Sequence, residues 1–232
     1  MNTKKLTGIG SYTKLALFNL AKNNPNDNFY LFSSGLKNDL HIQEILDLTN
    51  VHHYHWQESN KILNIKFILG QGPTLANVFG VNLDIFWLPN LNFYRFSETC
   101  PTVLTIHDLS WLHNHNFYNL KMRLWHRLIG VKNLLEKANG VLTVSHNTKR
   151  DIMRFFTINE DKIKVVYPGV ESMDLDKVSA QRILAPLKLP EKYWLYLGTL
   201  EPRKNIISII KAFEKFHQKY PEQNLLLVGG NC

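Results

Sequence analysis

The sequence predicts an α/β fold in which a Rossmann-like parallel sheet domain is followed by the start of a second domain of the same kind. Short runs rich in β-branched and aromatic residues alternate with amphipathic helical segments along the 232 residues. Most of these runs are continuously apolar rather than alternating, which is typical of parallel strands covered on both faces. The alternation is interrupted once, in a proline-containing stretch, and then resumes.

Eight strands are predicted along the chain, six of them before the interruption. They lie at 29–33, 63–67, 84–88, 102–106, 140–144, 163–167, 193–197 and 224–228. The connecting helices repeat apolar residues at spacings of three and four, most clearly at 118–137 and 203–219. The apolar face of the first of these helices is formed by Leu120, Leu124, Leu128, Val131 and Leu135.

The interruption predicts a domain boundary. Residues 168–192 contain three prolines and a charged, weakly periodic middle. We therefore expect an N-terminal domain at 1–170, a linker at 171–192 that could hold a short helix, and the start of a second domain at 193–232. One helix between two strands cannot bury a core by itself, so this second domain is expected to be incomplete.

The composition is that of a globular protein that prefers anionic partners. There are 27 basic and 19 acidic side chains, giving a net charge of +8, which fits nucleic acid, anionic lipid or a phosphorylated small molecule. No apolar run approaches the ~20 residues of a transmembrane helix. The two cysteines, Cys100 and Cys232, form no disulfide framework, so we expect a cytoplasmic location, with peripheral contact at the inner face of the membrane left open.

Candidate site residues follow from where ligands bind in an open α/β sheet, which is at the carboxyl ends of the strands. In TGIGSY, Gly8 and Gly10 precede a helix and could bring backbone amides close to a phosphate, although an ordinary loop is the preferred interpretation of so short a motif by itself. His107 and Asp108 end the run TVLTI. His107 could line a substrate cleft, or it could be satisfied locally while Asp108 caps the next turn.

Two other features have a structural alternative beside a functional one. Ser145 could face the cleft between a strand and a helix, but a helix N-cap is the preferred interpretation. Several histidines cluster in the sequence without acidic or thiol partners at metal-binding spacings, so no metal site is expected. These histidines are His52, His53, His55, His113 and His115.

The stretch YLGTLEPRKN, residues 196–205, places two cations directly after a predicted strand. Pro202 suits the first turn of a helix, so the helix at 203–219 is expected to begin beside Arg203 and Lys204. Two cations at a helix N-terminus favour a pyrophosphate group, and a guanidinium can bind one bidentately. A solvated charged turn is the alternative.

The order of these segments resembles the large family 4 of retaining glycosyltransferases, which have the GT-B fold. The resemblance runs from Thr7 to Gly230. It is carried by TGIGSYTKLALFNLAK, TVLTIHDLSWL, ANGVLTVSHNTKRDI, IKVVYPGV and YLGTLEPRKNIISIIKAFEKF. It implies an acceptor-side N-terminal domain and a C-terminal domain that binds a nucleotide-sugar, with transfer of a mannosyl- or glucosyl-like unit to a glycan or lipid-linked acceptor in cell-envelope polysaccharide synthesis.

The resemblance also assigns roles to individual residues. Gly8 and Gly10 match the glycine-rich loop at the donor phosphates, and His107 matches a catalytic histidine close to the transferred sugar. Arg203 and Lys204 match the basic pair that holds the diphosphate and stabilises its departing charge. The remaining expected cleft residues are Asp108, Ser145, Thr199 and Glu201. No metal or cofactor is implied, since the nucleotide-sugar is a substrate.

Two departures from the family pattern lead us to expect a fragment. No strand precedes TGIGSY, and the family's distal pair of glutamates, seven residues apart, is not convincingly present. Glu214 and Glu222 have that spacing, but Pro221 breaks the helix between them. We therefore expect these residues alone to be inactive or nearly so. The alternative function is a non-catalytic basic module that binds nucleic acid or an anionic membrane surface.

Overall fold

The structure, a computed structural model, describes residues 8–37, 42–74, 78–95, 99–113, 118–170 and 175–230. It divides into two compact units, Met1–Val170 and Glu171–Cys232. The α/β class expected from the sequence is confirmed, because every strand pairing in the described residues is parallel.

The first unit contains two parallel sheets joined and covered by helices. Strands β1 and β2 form the first sheet, and a second sheet has the order β3-β4-β5-β6. The elements of this unit are α1 (Gly8–Asn23), β1 (Phe29–Ser34), α2 (Gln43–Leu46), β2 (Val51–Trp56), α3 (Asn60–Ile68), β3 (Phe86–Leu88), β4 (Thr102–Ile106), α4 (Ser110–His113), α5 (Leu120–Ile129), α6 (Val131–Lys137), β5 (Gly140–Thr143), α7 (His146–Phe155) and β6 (Ile163–Val165).

The hydrophobic core lies around the four-stranded sheet. Strand β4 is central, and four of its five residues are buried, as expected for a parallel strand covered on both faces. Burial of each large apolar side chain here contributes roughly 1.5–3 kcal/mol. The completely buried core side chains include Leu104, Ile106, Leu109, Leu135, Val141, Ile152 and Ile163. This packing fixes the carboxyl ends of β3 and β4, where the candidate site lies.

The predicted strand at 63–67 is wrong. These residues lie in helix α3, which buries Leu63 and leaves Ile62 and Ile65 exposed. The strand that pairs with β1 is β2, whose sequence VHHYHW alternates between exposed and partly buried positions. Its three histidines obscured a period-two pattern that is normal for a half-covered strand.

The single helix predicted at 118–137 is also wrong, because it divides at Gly130. This glycine has φ of 63° and is at once the last cap of α5 and the first cap of α6. Val131 and Leu135 on α6 are buried as expected, whereas Leu120, Leu124 and Leu128 on α5 are exposed. The break lets the two helices present their apolar residues in different directions.

The second unit contains α8 (Lys177–Leu184), β7 (Tyr193–Leu197), α9 (Ile206–His217) and β8 (Asn224–Val228). Residues 175–192, all inside the predicted linker, thus include a helix of eight residues. Strands β7 and β8 pair in parallel, and the pairing continues as Gly198 N donates to Val228 O at 2.9 Å. Gly229 is required there, since an added Cβ would lie 1.8 Å from the oxygen of Gly198.

The helix predicted at 203–219 begins three residues late. Pro202–Lys204 form a 3-10 turn, and Asn205 adopts a left-handed conformation with φ of 50° before α9 starts at Ile206. Arg203 and Lys204 therefore lie in the turn ahead of the helix.

Candidate functional site

A small cavity of about 170 Å³ lies at the carboxyl ends of β3 and β4 in the first unit. Its walls come from α1, from the segments that follow β3 and β4, and from α5. The lining residues are Ile9, Asn90, Leu91, His107, Asp108, Trp111, Trp125 and His126. Two of the residues predicted from the sequence, His107 and Asp108, therefore line one cavity together with aromatic residues that the sequence analysis did not select.

His107 is held by the chain on both sides of its ring. Its Nε2 lies 2.9 Å from the carbonyl oxygen of Pro89, which can only accept, so Nε2 carries the proton and donates it. In the neutral ring Nδ1 is then the acceptor. The ring edge also meets Tyr12 of α1, with centroids 4.8 Å apart at 89°. This histidine is thus fixed in orientation and tautomer while still bordering the cavity.

Asp108 combines the two roles considered for it. Its Oδ1 accepts hydrogen bonds from Ser110 N at 3.0 Å and from Ser110 Oγ at 2.6 Å, which caps the start of α4. Because Ser110 gives its proton to Asp108, the hydroxyl of Tyr118 must donate to Ser110 Oγ, 2.5 Å away. The carboxylate therefore borders the cavity and at the same time fixes the turn that carries Trp111.

Ser145 is the N-cap of α7, as the preferred interpretation expected. Its Oγ accepts from Thr148 N at 3.0 Å. Thr148 Oγ1 donates to the carbonyl oxygen of His107 at 3.0 Å, so Ser145 Oγ donates to Thr148 Oγ1, 2.9 Å away. Ser145 is not among the cavity walls, and it reaches the site only by holding the backbone of His107 through Thr148.

Gly8 and Gly10 lie in the first turn of α1 rather than in a loop, which corrects that expectation. A Cβ added at Gly8 would meet no atom within 4 Å, so open space adjoins this backbone. The next residue, Ile9, lines the cavity. The amino-terminal end of α1 and His107 therefore border the same space, although the geometry is that of a helix end.

Trp111 and His126 form the aromatic wall of the cavity. Their rings stack with centroids 4.8 Å apart and planes 7° from parallel. Trp111 Nε1 and His126 Nδ1 are buried, and neither makes a well-formed hydrogen bond within the described residues. A buried donor without a partner costs about 1–3 kcal/mol. A polar ligand group or water at this wall would remove that cost.

The electrostatics of this wall favour a neutral imidazole. Burial lowers the pKa of His126, and the neighbouring Met122 carbonyl and Asp108 carboxylate act in the opposite direction without overcoming it. At neutral pH His126 is therefore uncharged and stacks on Trp111 as an aromatic ring.

The histidines of β2 are organised around a serine. His55 Nε2 donates to the carbonyl of Gly35 at 3.0 Å, so its Nδ1 accepts from Ser33 Oγ at 2.9 Å. Ser33 Oγ then accepts from His53 Nε2 at 2.8 Å, and burial and His55 together lower the pKa of His53. Within the described residues no group of three or more histidine, cysteine, aspartate or glutamate side chains could hold a metal ion.

The predicted diphosphate residues lie in the second unit. Arg203 and Lys204 are exposed neighbours in the 3-10 turn after β7, and Arg203 Nη2 pairs with Glu201 Oε1 at 2.9 Å. The backbone N–H of Lys204 donates to Glu201 O at 3.0 Å, and Thr199 O accepts from the hydroxyl of Tyr196 at 3.1 Å. Thr199, Glu201, Arg203 and Lys204 therefore share one turn at the carboxyl end of β7.

Comparison with known proteins bears on the segment that surrounds the cavity. Residues 78–172, which include β3 to β6 and most of the cavity wall, match the family model of Glycosyltransferase Family 4. This segment is similar to glycosyltransferase family 4. The resemblance seen in the sequence is thereby confirmed, and the segment that is matched contains His107, Asp108 and Ser145.

Curated relatives agree with the family. The chain is similar to O-antigen chain mannosyltransferase B of Escherichia coli, with 30% identity over 142 residues, 60% of this chain and 37% of the relative. It is 28% identical to O-antigen chain mannosyltransferase RfbU of Salmonella typhimurium over 55% of this chain and 32% of the relative. Serotype-specific mannosyltransferase WbdA of Escherichia coli is 27% identical over 52% of this chain and 16% of the relative. The chain thus spans about a third of the length of the two O-antigen chain relatives.

Three cavity residues were missed in the sequence, namely Trp111, Trp125 and His126. Trp111 lies four residues after His107, and a short helix beginning at Ser110 brings it back over the strand end. Trp125 and His126 lie on the face of α5 opposite its leucines. The sequence did contain one indication of their role. Trp125 and His126 are adjacent aromatic residues on the side of the helix away from its exposed leucines, which is the side expected to face the protein interior.

Proposed function

We propose that this chain takes part in the transfer of a hexosyl unit, mannosyl- or glucosyl-like, from a nucleotide-sugar donor to a glycan or lipid-linked acceptor. The observation that carries the proposal is the cavity bordered by His107, at the carboxyl ends of β3 and β4, inside the segment that matches the family. Three of the relatives are named mannosyltransferases, and two of them act on an O-antigen chain by name.

In this proposal the cavity receives the sugar end of the acceptor. Aromatic rings such as Trp111 and Trp125 suit the apolar face of a pyranose, and the unsatisfied Trp111 Nε1 offers a donor to one of its hydroxyls. His107, with Nε2 committed to Pro89, would present the other nitrogen to the reacting sugar. Transfer would proceed with retention, by attack on the same face from which the nucleotide leaves.

The basic turn supplies the second part of the proposal. Arg203 and Lys204 would bind the donor diphosphate and stabilise the charge that it gains on departure, with no metal ion required. Glu201, paired with Arg203, would orient the guanidinium until the phosphate arrives. We further propose a cytoplasmic location and no nucleic-acid partner. The 232 residues alone, about a third of the O-antigen relatives, should transfer sugar slowly or not at all.

Calorimetric titration with nucleoside diphosphates tests the donor half of the proposal directly. Replacing both cations, Arg203→Ala and Lys204→Ala, should weaken binding at least tenfold, because each charge-assisted hydrogen bond contributes about 1.5–3 kcal/mol. The matched control is Lys211→Ala with Lys215→Ala, which removes the same charge from exposed positions of α9. Equal weakening in both variants would reduce the effect to general charge and contradict a diphosphate site.

A transfer assay with a panel of nucleotide-sugars and O-antigen-type acceptors tests the catalytic half. Because the 232 residues alone are expected to transfer sugar slowly at most, the assay measures the residual rate. His107→Ala should lower this residual rate while leaving nucleoside diphosphate affinity unchanged, because His107 and the basic turn belong to different units. Full transfer by the His107→Ala variant would remove this histidine from the mechanism.

A further inference from the structure

Two histidines of β2 direct ring nitrogens toward the same place. His53 and His55 lie two residues apart on one strand, so their side chains share a face of the first sheet. His53 Nε2 lies 2.8 Å from Ser33 Oγ, and His55 Nδ1 lies 2.9 Å from the same oxygen. All three side chains are partly exposed. The two nitrogens therefore surround one point that solvent can reach.

The register of the sheet explains this convergence. Ser33 of β1 is paired with His55 of β2, and Leu31 is paired with His53. Ser33 thus lies beside one histidine and diagonal to the other on the same face, within reach of both rings. The ring centroids of the two histidines are 6.4 Å apart. The arrangement is therefore set by backbone pairing between two strands.

His55 is oriented as a metal-ligating histidine usually is. Its Nε2 donates to the carbonyl oxygen of Gly35 at 3.0 Å, which fixes the ring and directs the lone pair of Nδ1 toward Ser33. Histidine ligands commonly donate their second ring nitrogen to a backbone carbonyl in this way. Burial and His55 lower the pKa of His53, so this ring is also neutral at pH 7, as ligation requires.

We propose that His53 Nε2 and His55 Nδ1 together bind one divalent transition-metal ion. The ion would displace the Ser33 hydroxyl from between the rings, and water would fill its other positions. The proton of His53 would move from Nε2 to Nδ1, so that Nε2 can ligate and no proton is released. Because metal–nitrogen bonds are ~2.0–2.1 Å long, each ring would close on the ion by less than about 1 Å.

The chemistry of the two ligands selects the kind of ion. Imidazole nitrogen suits Zn²⁺, Ni²⁺ and Cu²⁺, whereas Mg²⁺ and Ca²⁺ prefer oxygen ligands. Within the described residues no larger group of histidine, cysteine, aspartate or glutamate side chains forms around this pair. The proposed site is thus an open one with two protein ligands, which the histidine spacing in the sequence did not lead us to expect. It does not depend on the transfer function proposed above.

Calorimetric titration of the 232-residue chain, freed of metal by a chelator and carrying no histidine tag, tests the site. NiCl₂ should bind at one site per chain more tightly than anywhere else, and MgCl₂ should not bind there. His53→Asn and His55→Asn should each weaken Ni²⁺ binding about tenfold or more, because loss of even an outer hydrogen-bond partner weakens a metal site about 10–100-fold.

The matched control is His52→Asn. His52 belongs to the same strand but faces the other side of the sheet, where its ring stacks on Tyr30 with centroids 5.0 Å apart. This variant should bind Ni²⁺ as tightly as the unchanged protein. Ser33→Ala should also keep the affinity, since the hydroxyl is displaced and is not a ligand. Circular dichroism of each variant verifies that the fold is retained.

Thermal unfolding gives a second measurement. Because the ion binds the folded strand pair, Ni²⁺ at about 100 times its Kd should raise Tm by roughly 5 °C or more, but not in the His53 and His55 variants. Unchanged Ni²⁺ affinity in both of these variants would overturn the proposal, as would an equal loss in His52→Asn. Loss of binding in a folded Ser33→Ala variant would contradict displacement of the hydroxyl and overturn the proposed ligand set.

Discussion

Thr148 connects the cap of α7 to the backbone of His107, and replacing it with valine should measure what that connection contributes. Thr148 is almost completely buried, and its hydroxyl donates to the His107 carbonyl at 3.0 Å. Valine keeps the shape of threonine but leaves that carbonyl without its donor, and it also leaves the Ser145 hydroxyl without an acceptor. A buried unsatisfied polar group costs about 1–3 kcal/mol, so we expect the first unit to lose about 2 kcal/mol.

Thermal unfolding followed by circular dichroism is the appropriate measurement. For a unit of 170 residues a loss of 2 kcal/mol corresponds to a fall in Tm of about 4–8 °C. Thr148→Ser is the matched control, because it keeps the hydroxyl and removes one methyl group, for a cost of roughly 1 kcal/mol. If Thr148→Val melts within a degree or so of the unchanged protein, or if Thr148→Ser falls just as far, the hydroxyl does not hold His107.

The other predictions concern a cap, a left-handed glycine, a close backbone contact and a titrating histidine. Ser145→Ala removes the N-cap of α7 and should cost about 1 kcal/mol in unfolding free energy, measured by urea denaturation, with Ser145→Asp recovering most of it. Gly130→Ala, at φ of 63°, should cost about 1–2 kcal/mol in the same measurement, and an unchanged midpoint would show that the α5–α6 junction relaxes freely. Gly229→Ala should raise hydrogen exchange at the amides of Gly198 and Leu200, which donate to the oxygens of Val228 and Gly230 on either side of Gly229, since the added Cβ would contact the Gly198 oxygen. Burial lowers the pKa of His126 in the folded protein, so the unfolded chain binds a proton at a higher pH than the folded chain does. The free energy of unfolding should therefore be fully present above the usual histidine pKa, near 6.5, and should decline as the pH falls below that value. His126→Phe should flatten that decline in Tm between neutral and acidic pH.

The sequence predicted the strands of the core well because their signal is local. Runs such as TVLTI and GVLTV are continuously apolar rather than alternating, as expected for a strand buried on both faces. The carboxyl ends of these strands then located His107 and Asp108 correctly beside a cavity, without any knowledge of the surrounding side chains. Ser145 was likewise placed by a rule that acts over three residues, the preference of serine for a helix N-cap.

The errors arose where the local signal was ambiguous or the deciding contact was distant. LNIKF reads as a strand because its β-branched and aromatic residues alternate, but nine consecutive residues from Asn60 form a helix there. In VHHYHW the histidines concealed a strand. Two of these histidines, His53 and His55, form hydrogen bonds with Ser33 on the neighbouring strand, a contact that the sequence does not reveal. Asn205 is not a strong helix stop in sequence, and only its left-handed conformation separates the Arg203 turn from α9.

The cavity wall shows a different limit. Trp111 and His126 are fifteen residues apart in sequence, and their stacking depends on how α4 and α5 fold back over β4. No periodicity links two such positions, so only a tertiary structure could pair them. The roles of Gly8, Gly10, Arg203 and Lys204 remain predictions that the binding and transfer experiments above would decide.

The left-handed glycine between α5 and α6 also bears on how such a protein can diverge. In one continuous helix, Leu120, Leu124 and Leu128 would share a face with Val131 and Leu135, and every change on that face would be felt in the core. The break at Gly130 gives α5 a face that mutations can alter without disturbing the packing of α6 against the sheet. Selection can therefore change the side chains that α5 exposes to solvent or to a partner, while the packing of α6 against the sheet stays the same.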